Sequence, residues 1–147
     1  MKELDIIRST AQPNTVDSRR TELEELGVGK GDIVLVHSRM SSLGWIVGGP
    51  QAVILALLET VGEEGTIVMP AHSGNWTDPS EWMSPPVPGF WIPIIMKHMP
   101  AFDPSMTPTR RVGAVAESFR SFPRVVRSDH PQTSFPARGR QAMELSE

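Results

Sequence analysis

The sequence predicts an α/β domain with a mixed or mostly parallel central sheet flanked by helices. Two observations carry this expectation. Two short apolar runs rich in β-branched residues, Ile33 to His37 and Thr66 to Met69, lie on either side of a helical pattern from Pro50 to Val61. Both runs are apolar on successive positions, as strands of a sheet covered on both faces are. Strand, loop, helix and strand in this order make one right-handed crossover unit.

Taken in order, Thr15 to Leu26 reads as a helix, with Thr15 or Asp17 as its cap, Leu23 and Leu26 as its apolar edge, and Gly27 just past its end. Lys30-Gly31-Asp32 turns the chain into the first strand, expected to be central in the sheet. Pro50 opens the clearest helix, in which Val53, Ile54, Leu57, Leu58 and Val61 repeat at helical spacing. Gly65 then introduces the second strand. Between Pro70 and Pro108 the chain is rich in proline yet holds Trp76, Trp82 and Trp91. Disordered segments are poor in aromatics, so this stretch is expected to be an ordered irregular loop with a short helix from Trp91 to Met99. A helix over Val112 to Phe122, a short strand over Val125 to Arg127 and a helix from Gln141 to Glu147 complete the expectation.

A chain of 147 residues, 39% of them hydrophobic, can bury one ordinary core, and one domain over 1–147 is expected. No apolar run approaches the ~18 to 20 residues that span a bilayer, and the acidic N-terminus is unlike a signal peptide. The chain has no cysteine, which excludes disulfides and thiolate metal sites. These features point to a soluble, cytoplasmic protein without membrane partners. The net charge of −3 is unevenly spread: Arg110 to Arg140 holds seven arginines against Glu117 and Asp129. The overall acidity and the lack of interleaved aromatics argue against nucleic acid, in favour of a small phosphorylated ligand. Solvated surface arginines are the plainer alternative.

The residues best suited to such a ligand fall in two segments. Ser38, Ser41, Ser42, Leu43 and Gly44 follow the end of a strand, where ligands of open α/β sheets bind. Their hydroxyls and backbone N–H groups, with a helix opening at Gly49-Pro50, can hold an anion without lysine. The same serines could simply cap turns. Thr109, Arg110, Val112 and Gly113 supply the cation and precede a helix start, so charge and helix dipole act together. No Walker loop, dinucleotide fingerprint or serine-hydrolase elbow is present. Trp76, Asp78 and Glu81 in the long loop, with Glu117, are candidate substrate-binding residues; Glu117 reads equally as half of a structural ion pair. Among the histidines, His37 reads first as a core residue and second as a catalyst. His72 follows the second strand into the same crevice, and His98 reads as a surface cap. His130, between Asp129 and Pro131, is the best-oriented candidate base. No pair has the spacing of a helical metal site, and no metal is expected.

These pieces in this order resemble the aminoglycoside 3-N-acetyltransferase family. The resemblance runs through Leu26-Gly27 to Gly31, Val34 to Ser38, Ser41 to Gly44, Gly48-Gly49 and Gly65 to Pro70. It continues through Thr107-Pro108-Thr109, Gly113, Glu117, Arg127-Ser128, His130-Pro131 and Ser134-Phe135. Arg39-Met40 departs from it, standing where small or hydroxyl residues are usual. The resemblance implies an antibiotic N-acetyltransferase-like fold and acetyl-CoA as donor, held by Ser38 to Gly44, by Thr109 to Gly113 and by Phe135. It implies direct attack by an aminoglycoside amine on the thioester, the chemistry of antibiotic resistance. It further implies that the chain is the N-terminal CoA-binding portion, ending before a later His-x-x-Glu stretch, with uncovered apolar surface that favours a homodimer. A CoA-binding module or truncated remnant without activity, and a nucleotide- or sugar-phosphate-binding domain, are the alternative readings.

Overall fold

The structure, a computed structural model, describes residues 2–147. The crossover unit forms as the sequence predicts. Helix α1 covers Glu3–Ser9 and α2 covers Val16–Glu25. The Thr15 hydroxyl accepts the Ser18 N–H at 3.1 Å and the Ser18 hydroxyl accepts the Thr15 N–H at 2.9 Å, a reciprocal cap. Strand β1 is Ile33–Leu35, α3 is Gly49–Val61 and β2 is Thr66–Val68, paired parallel to β1 with Val34 opposite Ile67. After the long loop come α4 (Ile92–His98), α5 (Ala114–Phe119), β3 (Val126–Arg127), β4 (Pro136–Gly139) and α6 (Ala142–Ser146).

The sheet is mixed, in the order β1-β2-β4-β3, with β4 antiparallel to both neighbours. The core gathers where α3 meets β2, α2 and α5: Ile54, Leu57, Val61, Ile67, Met69, Val115 and Phe119 are buried there. Each such side chain contributes about 1.5–3 kcal/mol relative to remaining exposed. Helix α6 packs on β3 and β4. No helix among the described residues is long and apolar enough to cross a membrane.

Two features differ from expectation. β1 is an edge strand and not a central one. Val34 and Val36 point to the core, while Ile33 and Leu35 are 50% and 56% exposed and His37 is exposed with them. The apolar run therefore has one open face, and His37 is no core histidine. The second difference is β4, a central strand the sequence did not announce, because Pro136, Ala137 and Gly139 are all poor strand formers. Pro136 is tolerated as the first strand residue, with its carbonyl accepting from Met69 N–H at 3.0 Å. Gly139, at φ +131°, passes so close to β2 that a Cβ there would lie 2.0 Å from the Gly65 carbonyl oxygen. Only glycine allows that approach.

Candidate functional site

The chain leaves β1 and β2 at the same end of the sheet, and the two ligand-type segments meet beyond those ends. Residues Met40–Ser42 form one 3-10 turn, closed by Ser42 N–H and Leu43 N–H donating to the Arg39 and Met40 carbonyls, each at 3.0 Å. Ser41 is half-buried and Ser42 exposed. Arg39 Nε donates to Ser41 Oγ at 3.0 Å, so Arg39 is part of the hydroxyl loop's own bonding.

That loop is held from behind by residues the sequence did not single out. Asn14 Nδ2 donates to the carbonyls of Leu43 and Trp45 at 3.2 and 3.1 Å, and Trp45 N–H donates to Thr10 Oγ1 at 2.9 Å. Asn14 also bridges to Ile46 in parallel strand fashion. The segment between α1 and α2 thus straps the loop in place. A strap of this kind leaves no local pattern, since its partners lie about thirty positions away.

The second segment lies against the first. Gly113 adopts φ +88°, and a Cβ there would stand 3.3 Å from the Ser38 carbonyl oxygen. Before it, Thr109 donates through both its N–H, at 2.9 Å, and its hydroxyl to Glu117 Oε2. Glu117 Oε1 accepts from Arg120 Nε at 2.9 Å. Burial pushes this carboxyl up, but the hydrogen bonds from Arg120 and Thr109 and the Arg120 charge outweigh it and hold the pKa at about 2. Both Glu117 oxygens are therefore occupied, Oε2 in fastening the turn to α5 and Oε1 in the pair with Arg120. Val112 packs against the core beside it.

Arg110 and Arg111 line a cleft of about 430 Å³ together with His72, Glu81, Trp82 and Thr133. Arg110 N–H donates to the His72 carbonyl at 2.8 Å and its guanidinium to Asn75 Oδ1. Arg111 stands at φ +62°, uncommon for a non-glycine residue, and donates to the Ser84 carbonyl. Trp82 Nε1 donates to Thr77 Oγ1 at 2.8 Å. The ring of Phe135 meets that of His72 edge-on at 5.3 Å, and His72 Nε2 is buried with no protein partner.

The other nominated residues are placed differently. Trp76 donates to the Pro100 carbonyl at 2.9 Å and braces the long loop. Asp78 caps the 3-10 turn Pro79–Glu81 by accepting from Ser80 N–H and Oγ, bonds that lower its pKa. Glu81 alone of the three loop residues reaches the cleft. His130 is exposed, and its Nδ1 accepts the backbone N–H groups of Gln132 and Thr133 at 3.2 and 2.9 Å. The turn, and not Asp129, orients the ring, and the neutral imidazole then carries its proton on Nε2. Thr133, Gln132 and Trp82 are cleft residues that sequence reasoning missed; none belongs to a motif. A larger groove of about 520 Å³, lined by Arg124, Arg138 and Glu63, holds no nominated residue, and its charges are mixed. Among the described residues, no group of three or more His, Asp or Glu could hold a metal ion.

Comparison with known proteins bears on this arrangement. A family model described as aminoglycoside 3-N-acetyltransferase matches residues 35–147. The chain is 52% identical over 141 residues to the aminoglycoside N(3')-acetyltransferase-like protein YokD of Bacillus subtilis, covering 95% of this chain and 52% of the relative. It is 40% identical over 146 residues to aminoglycoside N(3)-acetyltransferase VIII of Streptomyces fradiae, covering 99% and 50%. The crystal structure of YokD superposes with a TM-score of 0.94 over 97% of this chain and 53% of that one. An AAC-IIIb complex with CoASH, 31% identical, superposes with a TM-score of 0.75 over 92% and 49%. The chain spans about half the length of the relatives it matches.

Proposed function

The chain belongs to the aminoglycoside 3-N-acetyltransferase family, and on that premise we propose that it forms the acetyl-CoA-holding part of an enzyme that acetylates an aminoglycoside amine. The observation that carries this reading is the meeting of the hydroxyl loop with the Thr109–Gly113 turn, where Gly113 lies against the Ser38 carbonyl. Two segments far apart in sequence then meet, one carrying the serine hydroxyls and the other the two arginines that line the cleft. Phosphate groups and an amide-rich arm are the ligand features such donors suit.

Within that reading, Ser38, Ser41, Ser42, Leu43 and Gly44 contact the donor on one side, and Thr109, Arg110, Val112 and Gly113 on the other. Phe135 acts from behind His72. Glu81 and Trp82, in the cleft with the arginines, are suited to a polycationic acceptor: a carboxylate for an ammonium group and an aromatic face for a sugar ring. The reaction breaks the thioester C–S bond and forms an amide as the acceptor amine attacks; the amine's proton must pass to a base and the sulfur leaves as CoA thiol. The CoASH complex of a structural neighbour supports the donor, and the names of the relatives support the acceptor class and a part in antibiotic resistance. Dependence on acetyl-CoA goes with a cytoplasmic location. The same similarities, close over nearly the whole chain, favour the transferase reading over a remnant.

Thermal melting with CoA, dephospho-CoA and ATP tests the donor. CoA at a hundredfold excess over its dissociation constant stabilises the fold by about 2.7 kcal/mol. The expected order is CoA above dephospho-CoA above ATP, and Ser41→Ala with Ser42→Ala reduces the CoA shift. No shift with CoA, or an equal one with ATP, removes the proposal.

A further inference from the structure

Arg127 ends β3, lines no cavity described above, and makes more polar contacts than any residue of the cleft. Its Nε donates to Ser134 Oγ at 2.9 Å, one terminal nitrogen to the Thr107 and Pro104 carbonyls at 2.5 and 3.3 Å, and the other to the Ala71 carbonyl and Ser73 Oγ, both at 2.9 Å. The guanidinium also lies 5.1 Å from the centre of the Phe102 ring. A guanidinium has five N–H donors, and here five acceptors surround it. None is a carboxylate. Burial pushes its pKa down, and Arg120 adds to that by repulsion, so nothing here is arranged to optimise an ion pair.

The acceptors belong to three separate stretches. Ala71 and Ser73 flank His72, Thr107 stands three residues before Arg110, and Ser134 follows Thr133. Each stretch therefore carries at least one residue of the cleft. They are also joined directly, by Ala71 N–H to the Ser134 carbonyl at 2.9 Å, Ser73 N–H to the Gln132 carbonyl at 3.0 Å and Arg110 N–H to the His72 carbonyl at 2.8 Å. We propose that Arg127 is a positioning residue for acetyl-CoA-dependent transfer, holding His72, Arg110 and Thr133 in mutual register without touching the ligand.

A planar fork is required for this, because lysine offers three donors on one atom and cannot reach five acceptors in three directions. A site whose supporting contacts are lost keeps its residues and loses their geometry. The proposal rests on the CoA reading above, so its test has one arm that needs no ligand.

Backbone hydrogen exchange and CoA affinity by calorimetry are measured on native protein, Arg127→Lys, and the milder pair Ser73→Ala and Ser134→Ala, which keep the cation and remove one acceptor each. All are compared under conditions where each variant is folded by near-ultraviolet circular dichroism, with Leu57→Ala as a core-destabilised control. The expected result is faster exchange at residues 71–75, 104–111 and 130–135 together in Arg127→Lys, little change in α3, and CoA binding weakened by about tenfold or more. The serine variants show smaller losses in the same places, and Leu57→Ala leaves CoA affinity unchanged. Exchange confined to residues 126–128, or loosened loops with unchanged CoA affinity, overturns the proposal. A native chain that binds no CoA removes the functional reading and with it the positioning role, while the exchange arm still reports whether the three loops depend on Arg127.

Discussion

Glu117 Oε2 accepts the backbone N–H of Thr109 at 2.9 Å, fastening the turn that carries Arg110 to the first turn of α5. The other carboxylate oxygen is taken by Arg120. A residue that looks in sequence like an acid for a cationic substrate is thus committed to shaping the turn that carries Arg110.

The consequence is a pH dependence of known sign. Glu117 is held at about 2 in the fold against an ordinary value of 4.5. A depressed carboxyl contributes stability that is fully present above its unfolded pKa and is lost as pH falls through its folded pKa. Glu117→Gln should melt below the native protein at neutral pH, and the gap should close between about pH 4.5 and 2. Thermal melts of both proteins across that window check this; a gap that persists at the acid end shows that the carboxylate charge is not what holds the turn.

The parts of this architecture that were legible are those written in local pattern. The α3 repeat of Val53, Ile54, Leu57 and Val61, the Thr15 cap and the two β-branched runs each state their own structure. β4 was not legible, because its place at the sheet's centre is decided by partners, with Gly139 selected for closeness to Gly65 and not for strand propensity. The same holds at the site. Ser41, Arg110 and Gly113 stand out as residue types that bind anions, whereas Thr10, Asn14 and Thr133 matter only through contacts made across the chain. Apolarity also misled at β1: Ile33 and Leu35 look like core residues, and only the strand order shows that their face is open.

Gly113 sits where the Thr109–Gly113 turn meets the loop that starts at Ser38. At φ +88° and 3.3 Å from the Ser38 carbonyl, alanine there is strained in backbone and crowded in space. With ψ 167°, this is a backbone region essentially reserved for glycine, which costs another residue roughly 1–3 kcal/mol. Gly113→Ala should lower the melting temperature modestly and weaken CoA binding by more than that loss accounts for, because the two segments move apart. Calorimetric titration beside a denaturant curve separates the two effects. Equal CoA affinity in the variant would show that the junction is not part of the donor site.

β1 has the marks of a surface that associates. It is an edge strand with Ile33 and Leu35 more than half or half exposed on one face. Unpaired strand edges with apolar side chains recruit further strands, and a charged residue on such an edge blocks this. The native chain should self-associate with rising concentration in sedimentation velocity, with a homodimer as its first product. Leu35→Lys should shift the population to monomer without lowering the melting temperature, since the side chain contributes little to the core. A native chain that stays monomeric at every concentration contradicts the expectation.

Catalysis by the 147-residue chain should be slow, for a reason visible in its histidines. Amine attack needs a ring nitrogen with a free lone pair facing the cleft. His130 has spent Nδ1 on the N–H groups of Gln132 and Thr133 and presents a protonated Nε2 when neutral. His37 lies on the open face of β1, and His98 ends α4. His72 lines the cleft, but its Nε2 is buried without a protein partner, with the Phe135 ring edge-on to the imidazole. Loss of a general base costs ~10² to 10⁴ in rate, so acetyl transfer to aminoglycosides by this chain alone should be slow or undetectable even where CoA binds well. A thiol-release assay with several aminoglycosides, run beside His37→Ala, His72→Ala and His130→Ala, measures this. Robust turnover abolished by one substitution would place the base within the chain. The geometry then selects His72, the one histidine that shares the cleft with Arg110, and not His130, whose lone pair the turn already uses.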